Sequence, residues 1–328
     1  MPAPRRLLAI ALAAPLLLAS CTTDSNESGG DGGGSESGGG GDGDLSFSVI
    51  THGSAGDAFW DVVQNGAEAA GEDLGIDVDY QSDGDPTRQA QLIDAAVNQG
   101  VDGIVVSMAN PDALQDSVEA AVAAGIPVVT INSGGDRSTE FGAIGHVGQD
   151  EAIAGEGAGR ELAEDGARSV LCVIHEAGNI GLEQRCDGAS TGLGTEVRTL
   201  QVDINDLTGA QSTITSQLQS DPAIDAVLTL NSAVAAVAAE SLADAGSDAA
   251  VATFDLNQDV ISGIQDGSIA FAVDQQQYEQ GYLPIVMLQL YAENLNTVGG
   301  GQPVLTGPGI VDSTNVDEIA DLASAGTR

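Results

Sequence analysis

Short apolar segments alternate with amphipathic helical segments from Leu45 onwards, and this alternation occurs twice along the chain. Apolar segments that are rich in Val and Ile and bounded by Gly or Pro are typical of buried parallel strands. The first half has them at residues 45–51, 77–81, 103–108, 127–132 and 143–147, and the second half at 170–175, 196–203, 226–231, 251–255 and 269–274. Because strands separated by helices form doubly wound parallel sheets, the sequence predicts an α/β fold with two such lobes of similar size.

The residues before Leu45 have the composition of an export signal followed by a tether. Arg5 and Arg6 precede an apolar run at 7–18, which is too short to span a bilayer and is typical of a secretory signal peptide. Cys21 follows small residues, as in the lipobox of bacterial lipoproteins; an ordinary secretory signal with a chance cysteine is the alternative. Residues 22–44 are almost entirely Gly, Ser, Asp, Glu, Thr and Asn, which is the composition of a flexible linker.

This pattern divides the start of the chain into two parts. We predict a signal peptide at 1–20, followed by a lipidated Cys21 and a disordered Gly/Ser/Asp tether at 21–44. The folded protein is then extracytoplasmic and lipid-anchored to the outer face of the cell membrane.

The charge of the chain argues against several classes of partner. The formal net charge is -40, every one of the nine cationic side chains is Arg, and the acidic residues are spread along the chain. Such a surface repels nucleic acid and anionic lipid, which leaves the lipid anchor as the link to the membrane. A solvated acidic coat that keeps the protein soluble is favoured over an acidic binding patch.

Two cysteines remain in the folded part, Cys172 and Cys186. In an oxidising compartment they are most simply a disulfide. Their spacing fits no zinc pattern and two thiols alone are too few ligands, so no metal site is predicted.

Polar side chains stand where most of the predicted strands end, and doubly wound sheets bind ligands at the carboxyl ends of their strands. They include Thr51, His52, Asn132, His175, Asn231, Asp255 and Gln275. Phe59 and Trp60 open the first helix in a chain with one Trp, four Tyr and five Phe. Rings that cover C–H faces, beside planar polar groups that bond hydroxyls, suit a neutral polyhydroxylated ligand. Each residue alone has an ordinary alternative, as a turn former, a helix cap or, for Phe59, a core aromatic.

Several segments carry a resemblance to a known family. They are THGSAGDAFW (51–60), PVVTINSGGD (127–136), GHVGQDEAIAG (145–155), RCDG (185–188), LTLNS (228–232), ATFDL (252–256) and AVDQQQYEQGY (272–282). Over roughly residues 45–311 the chain resembles the type I periplasmic (solute-)binding proteins of bacterial sugar ABC importers, in the ribose-binding-protein-like group. The resemblance implies two α/β lobes that are joined by a three-strand hinge and close over a ligand.

The resemblance also implies a function and a set of partners. The protein is expected to be a monomer without a cofactor that captures a small neutral monosaccharide or polyol and delivers it to an ABC permease and its ATPase. The N-terminal lobe would comprise 45–148 plus 276–306, and the C-terminal lobe 149–275 plus 307–328.

Ligand contacts can be carried over from the family position by position. The residues that match are Asp57, Phe59, Trp60, Asn132, Arg185, Asn231, Asp255 and Gln275. Further candidates are Thr51, His52, His175 and Asn179. Asn132 and Ser133 fall where ribose binders have Asp and Arg, which puts ribose itself in doubt. Residues 202–207 hold no aromatic where the family often has one, so a smaller or acyclic ligand such as a polyol becomes plausible.

Other functional classes fit the sequence less well. The chain has no HExxH, GxSxG or Walker sequence, so it is not predicted to be an enzyme. The glycines at 155–159 resemble a dinucleotide fingerprint but lie inside a helical stretch, so no dinucleotide cofactor is expected. A repressor of the same fold would need a basic DNA-binding headpiece. A receptor that presents a sugar or an autoinducer-2-type signal to a membrane sensor kinase stays an alternative.

Overall fold

The strands of the described residues form two six-stranded sheets. The computed structural model describes residues 45–54 and 56–328. The predicted signal peptide at 1–20, the predicted lipidation site Cys21 and the predicted tether at 22–44 lie outside the described residues.

The first sheet is parallel throughout and combines strands of the first half with one late strand. Its strands are β1 (Ser46–Thr51), β2 (Asp77–Ser82), β3 (Gly103–Ser107), β4 (Val128–Ile131), β5 (Gly145–Gly148) and β11 (Val304–Leu305). Their order across the sheet is β11-β5-β4-β3-β1-β2. The central strands β3 and β4 are buried along their whole length, as their uninterrupted apolar sequences predict.

The second sheet repeats this arrangement with one difference at its edge. Its strands are β6 (Val170–Ile174), β7 (Arg198–Gln201), β8 (Ala226–Thr229), β9 (Ala250–Phe254), β10 (Phe271–Asp274) and β12 (Gly309–Asp312), in the order β12-β10-β9-β8-β6-β7. The edge strand β12 runs antiparallel to β10, while the other pairs are parallel. The prediction of two parallel-sheet lobes is therefore confirmed.

Helices connect the strands in both lobes. They are α1 (Ala58–Leu74), α2 (Pro86–Gln99), α3 (Pro111–Ala123), α4 (Gly135–Ser138), α5 (Glu151–Glu164), α6 (Ile180–Leu193), α7 (Leu207–Ser220), α8 (Ser232–Ala245), α9 (Gln258–Asp266), α10 (Gln277–Asn294) and α11 (Val316–Ser324). A short 3-10 helix covers Gly299–Gly301. None of the helices in the described ranges combines the length and the apolar character that a membrane crossing needs.

Each sheet separates two hydrophobic cores, because successive side chains of a strand point to opposite faces. In β1, Val49 belongs to the cluster under α1 and α10, whereas Ile50 belongs to the cluster under α2 and α3. The second sheet likewise divides its buried residues between one cluster that includes α5 and α6 and another that includes α7, α8 and α9.

The chain passes between the two sheets three times. It leaves the first sheet after β5, returns after β10 through α10, and leaves again between β11 and β12. The predicted ligand residues Asn132, Asp255 and Gln275 lie close to these crossings, so the hinge and the candidate site share side chains.

Glycines allow α5 and α6 to pack with their backbones in direct contact. A Cβ atom at Gly155 would overlap the carbonyl oxygen of Arg185, and one at Gly188 would overlap the carbonyl oxygen of Ala152. Two of the glycines that resemble a dinucleotide fingerprint, Gly155 and Gly159, therefore serve helix packing, whereas a Cβ atom at Gly157 would meet nothing within 4 Å. The disulfide between Cys172 and Cys186 ties the same α6 to β6, as the cysteine count predicts.

Candidate ligand-binding site

A cleft with an empty volume of about 450 Å³ lies between the two sheets and is lined by residues of both lobes. Eleven of the twelve predicted ligand residues line it, namely His52, Asp57, Phe59, Trp60, Asn132, His175, Asn179, Arg185, Asn231, Asp255 and Gln275. Among the described residues no group of three or more His, Cys, Asp or Glu side chains is placed to hold a metal ion.

Thr51 is the one predicted candidate that does not line the cleft. Its side chain is fully buried, and its hydroxyl hydrogen-bonds with the Tyr80 hydroxyl at 3.0 Å and the Ser82 hydroxyl at 2.9 Å. Thr51 ends β1 but points towards the neighbouring strand β2, which carries both partners. A contact between Thr51 and the ligand therefore stays a prediction, while its hydroxyl bonds to side chains of β2.

The aromatic wall of the cleft is built by α1. Phe59 and Trp60 meet edge to face, with ring centroids 4.8 Å apart, and His52 packs on Trp60 in the same way at 4.7 Å. Both aromatic residues belong to the hydrophobic core of the first lobe and also line the cleft. Gly53 permits this arrangement, because a Cβ atom there would overlap the Trp60 ring.

Three helices begin at the cleft, and their capping residues line it. Asp57 accepts a hydrogen bond from the Phe59 amide, Asn179 from the Gly181 amide, and Asn231 from the Ala233 amide. In each case one side-chain oxygen caps the helix, which leaves the other polar atoms for further bonds. The cap and the ligand contact are therefore compatible roles for these residues.

A chain of hydrogen bonds runs along the hinge side of the cleft. The Asn132 amide donates to Gln275 Oε1 at 3.2 Å and to Gln280 Oε1 at 3.3 Å. Gln275 Nε2 donates in turn to Asp255 Oδ1 at 2.6 Å. This chain links the ends of β4, β9 and β10, so a group that binds to Asp255 is connected to the hinge.

Asn132 and Asp255 share a backbone conformation that few residues adopt. Their φ values are 58° and 71°, in the left-handed region that Asn and Asp tolerate best among residues with a side chain. This conformation turns the chain sharply at the end of each strand. A backbone held in a sparsely populated region is a feature that clusters at functional sites.

Arg185 projects from α6 into the cleft and is held by a residue that the sequence analysis did not select. Its Nε and Nη2 atoms donate to the two oxygens of Glu151 at 2.6 and 2.9 Å, and both side chains are 4% exposed. The guanidinium also lies 4.7 Å from the centroid of the Phe254 ring. Burial acts to lower the pKa of Arg185, but Glu151 outweighs it and the pKa is raised. The Nη1 group makes none of the hydrogen bonds found among the described residues.

Two further features of this wall were missed. Gln149, on the first crossing between the lobes, donates from Nε2 to Glu151 Oε2 at 2.9 Å and so connects the hinge to Arg185. Ile204 lines the cleft within residues 202–207, where no aromatic was found. The one sequence feature that could have pointed to Glu151 is its position at the start of the helix after β5. Acidic residues are common in the first turn of any helix, so this position alone did not indicate a role in the site.

The histidines of the cleft are neutral at pH 7. Burial lowers the pKa of His52, and it lowers the pKa of His175 to about 3, with the Arg185 charge acting in the same direction. His52 Nδ1 is paired with the Ser107 hydroxyl at 2.7 Å. His175 Nδ1 is buried and has no hydrogen-bond partner among the described residues. A neutral imidazole nitrogen can donate to or accept from a bound hydroxyl.

The pKa values of two carboxyl groups in the cleft are raised, whereas those of the histidines are lowered. Burial raises the pKa of Asp255 to about 7, although Arg185 and the hydrogen bond from Gln275 both act to lower it. Burial also raises the pKa of Asp57, against the capping bond from Phe59. Both groups are acceptors when ionised and become donors when protonated.

Hydrogen bonds between the lobes hold the cleft closed. Ile180 N donates to Ala109 O at 3.1 Å, and Gln184 Nε2 donates to Asp136 at 2.9 Å. Further cross-lobe bonds involve the lining residues Ser133 with Asn179, at 3.2 Å, Asn179 with His52, at 3.4 Å, and Asn231 with Asp57, at 3.4 Å. A ligand in this cleft would therefore contact both lobes and be enclosed by them.

A family profile and two curated relatives both identify this chain as similar to periplasmic binding proteins. A profile described as periplasmic binding protein domain matches residues 47–296. The ribose import binding protein RbsB of Bacillus subtilis (strain 168) is 31% identical over 206 residues, which is 61% of this chain and 66% of that protein. The xylose/arabinose-binding protein XylF of Sulfolobus acidocaldarius is 29% identical over 243 residues, which is 66% of this chain and 59% of that protein. The matched segments thus span less than two thirds of either relative's length.

A solved structure is more similar. The carbohydrate transporter from Acidothermus cellulolyticus 11B, in complex with myo-inositol, is 42% identical with a TM-score of 0.86. The match covers 87% of this chain and 100% of that one. The two sheets, the hinge and the family match point to one assignment: the chain belongs to the periplasmic binding protein domain family, among the ribose-binding-protein-like, non-enzymatic solute-binding proteins of sugar ABC transporters.

Proposed function

We propose that this protein captures a small neutral monosaccharide or polyol in the cleft between its lobes and delivers it to the permease of an ABC importer. The observation that carries the proposal is the lining of the cleft, in which an aromatic wall faces buried groups that form planar hydrogen bonds. Rings suit the C–H faces of a sugar, and a buried hydroxyl costs free energy unless it is hydrogen-bonded.

Each wall contributes a different kind of contact. Phe59 and Trp60 cover one face of the ligand. Arg185 donates from its Nη1 group, which is not bonded to Glu151. Asp255 accepts from a hydroxyl, and the polar atoms of Asn179 and Asn231 that do not cap helices bond to others. Donors and acceptors are thus both present, as a polyhydroxylated ligand requires.

Among candidate ligands we place myo-inositol first. It is bound by the Acidothermus protein, which is the relative with 42% identity described above. Ribose is the alternative from the Bacillus relative, but Asn132 and Ser133 do not offer the ion-paired contact of ribose binders.

Delivery to a permease requires that the protein stay at the membrane. We propose that it is lipidated at Cys21 and held by the tether at 22–44. We further propose that residues 45–148 with 276–306 and residues 149–275 with 307–328 act as the two moving lobes. The sheet membership of β11 and β12, on either side of residue 307, supports this division.

A thermal-shift screen tests the ligand assignment. The full mature protein is heated with a panel of neutral monosaccharides, acyclic polyols and cyclitols, including myo-inositol and D-ribose. A ligand that binds only the folded state stabilises it by about 2.7 kcal/mol at a hundredfold excess over Kd. We expect at least one panel member to raise Tm, and calorimetry then gives its affinity. If no member shifts Tm and none gives heat, the proposed function is wrong.

A further inference from the structure

The walls of the cleft carry more acidic than basic groups. Asp57, Glu176 and Asp255 line it, and Arg185 is the one Arg among its described lining residues. The charge of Arg185 is already matched by the bidentate pair with Glu151. The chain has no Lys, and none of the other described Arg side chains lines the cleft. The cleft therefore holds an excess of carboxyl groups.

Asp57 lines the cleft from the first lobe and Glu176 from the second, and neither forms an ion pair with an Arg among the described residues. Asp57 accepts the capping bond from the Phe59 amide at 3.1 Å and a long bond from Asn231 at 3.4 Å. Glu176 Oε2 accepts from the Asn179 amide at 2.9 Å. The charge of Glu176 is one of the causes that raise the pKa of Asp57, after burial itself.

The lining histidines do not offset this charge. His52 Nε2 lies 3.7 Å from Glu176 Oε2, but burial lowers the pKa of His52 and keeps the ring neutral at pH 7. His175 is 9% exposed, and its buried Nδ1 atom has no partner among the described residues. A neutral imidazole has one nitrogen that donates and one that accepts, so the unpartnered Nδ1 atom of this lining residue is an independent sign of a polar ligand group.

Asp57 and Glu176 are partly buried, and carboxylates withdrawn from water favour a cationic or hydrogen-bonding partner, because an unpaired buried charge is costly. We propose that the cleft accepts cyclitols or sugars in which an ammonium group replaces one hydroxyl, and that this group binds between the carboxylates of Asp57 and Glu176. The inference rests on the proposed function, because it concerns the ligand class of the same cleft. The same charge distribution excludes anionic ligands such as sugar phosphates and uronates.

Calorimetry with matched probes tests this inference. The probes are myo-inositol and its monoamino derivatives, in which an amine replaces one hydroxyl at a time, with myo-inositol monophosphate as the anionic probe. We expect at least one amine to bind at least as tightly as myo-inositol and the phosphate to bind more weakly than both. Salt provides a second readout, because the Debye length falls from about 30 Å at 0.01 M to about 3 Å at 1 M. Affinity for the amine should fall over this range more than affinity for myo-inositol.

Substitutions locate the cationic group. Asp57→Asn and Glu176→Gln each remove one charge while keeping the shape of the side chain, and Asn retains the helix-capping oxygen. Each should reduce the affinity for the amine relative to that for myo-inositol by about tenfold, which corresponds to about 1.4 kcal/mol. Asp116→Asn is the matched control, because Asp116 is exposed on α3 outside the cleft and its loss changes the net charge equally.

The outcomes separate the inference from the proposed function. If myo-inositol binds and every amine binds more weakly, the inference is wrong and the proposed function stands. If an amine binds tightly but both cleft variants keep the parent's preference, the placement between Asp57 and Glu176 is wrong. If neither these probes nor the neutral panel binds, both proposals fail.

Discussion

Removing one partner of the Glu151–Arg185 pair should destabilise the protein far more than its surface ion pairs would suggest. The two side chains are 4% exposed and share two charge-assisted hydrogen bonds at 2.6 and 2.9 Å. Arg185→Ala leaves a buried carboxylate, and Glu151→Leu leaves a buried guanidinium. Removing one partner of a buried pair typically costs about 3–5 kcal/mol.

This magnitude is large compared with the total stability of the protein. Domains are stable by only about 5–15 kcal/mol, and about 1 kcal/mol shifts Tm by roughly 2–4 °C for a protein of 150–250 residues. Each single variant should therefore lose roughly 6 °C or more. The double variant Glu151→Leu/Arg185→Met should be more stable than either single variant, because it leaves no unpaired charge.

The assay combines urea unfolding with calorimetry of the ligand that the thermal-shift screen identifies. Stability should recover in the double variant, whereas affinity should stay at least roughly tenfold below that of the parent, since we propose that Arg185 donates to the ligand. The exposed pair of Arg160 with Glu156 supplies the control, and Arg160→Ala should change stability little. If the effects of the two single substitutions simply add, the pair is not coupled; if Arg185→Ala binds like the parent, its place in the site is wrong.

Four further outcomes test other parts of the molecule. Trp60→Ala should abolish or severely weaken ligand binding while the lobes still fold, and unchanged affinity by calorimetry would leave Trp60 with a core role alone. Mass spectrometry without reduction should find Cys172 and Cys186 joined, and two free thiols in the exported protein would contradict the disulfide. Cys21→Ala should release the protein from membranes, so a variant that stays in the membrane fraction would disprove the anchor. Asp255→Asn should stabilise the ligand-free protein at pH 8, with the gain shrinking towards pH 4. Burial raises the pKa of Asp255 to about 7, so the folded state retains a proton that the unfolded chain loses above about pH 4. Urea unfolding across this pH range checks the sign, and a gain that does not change with pH would refute it.

Periodicity and strand-end residues were enough to predict the fold and the position of the cleft. Apolar runs such as 103–108 became β3, and ten of the predicted strands are present with shifted ends. The edge strands β11 and β12 were not predicted, because β11 has two residues and β12 has a glycine at its start. Edge strands need fewer apolar residues than central ones, so their sequences carry a weaker signal.

The contacts that orient the site could not be read from sequence in the same way. Glu151 meets Arg185 because α5 and α6 approach closely, and that approach depends on glycines of both helices. Thr51 shows the converse, since this polar residue at a strand end is a possible ligand contact by its sequence position, but its hydroxyl bonds to side chains of β2. Side-chain direction depends on the register and twist of the sheet, and a single sequence does not specify these.

The capping residues explain why the sequence alone left two interpretations open for the same positions. A helix cap needs one acceptor oxygen beside the first turn. A cleft at the carboxyl ends of parallel strands places helix starts beside those strand ends. Asn231 therefore caps α8 with Oδ1 while its Nδ2 atom reaches Asp57 across the cleft. Asn179 caps α6 while its amide group reaches Glu176. The choice between a cap and a ligand contact was thus not exclusive, because Asn carries an acceptor for the helix and a donor for the cleft in one rigid side chain. Replacing such a residue would disturb helix stability and binding together, and only the ratio of affinities for two ligands separates the two effects.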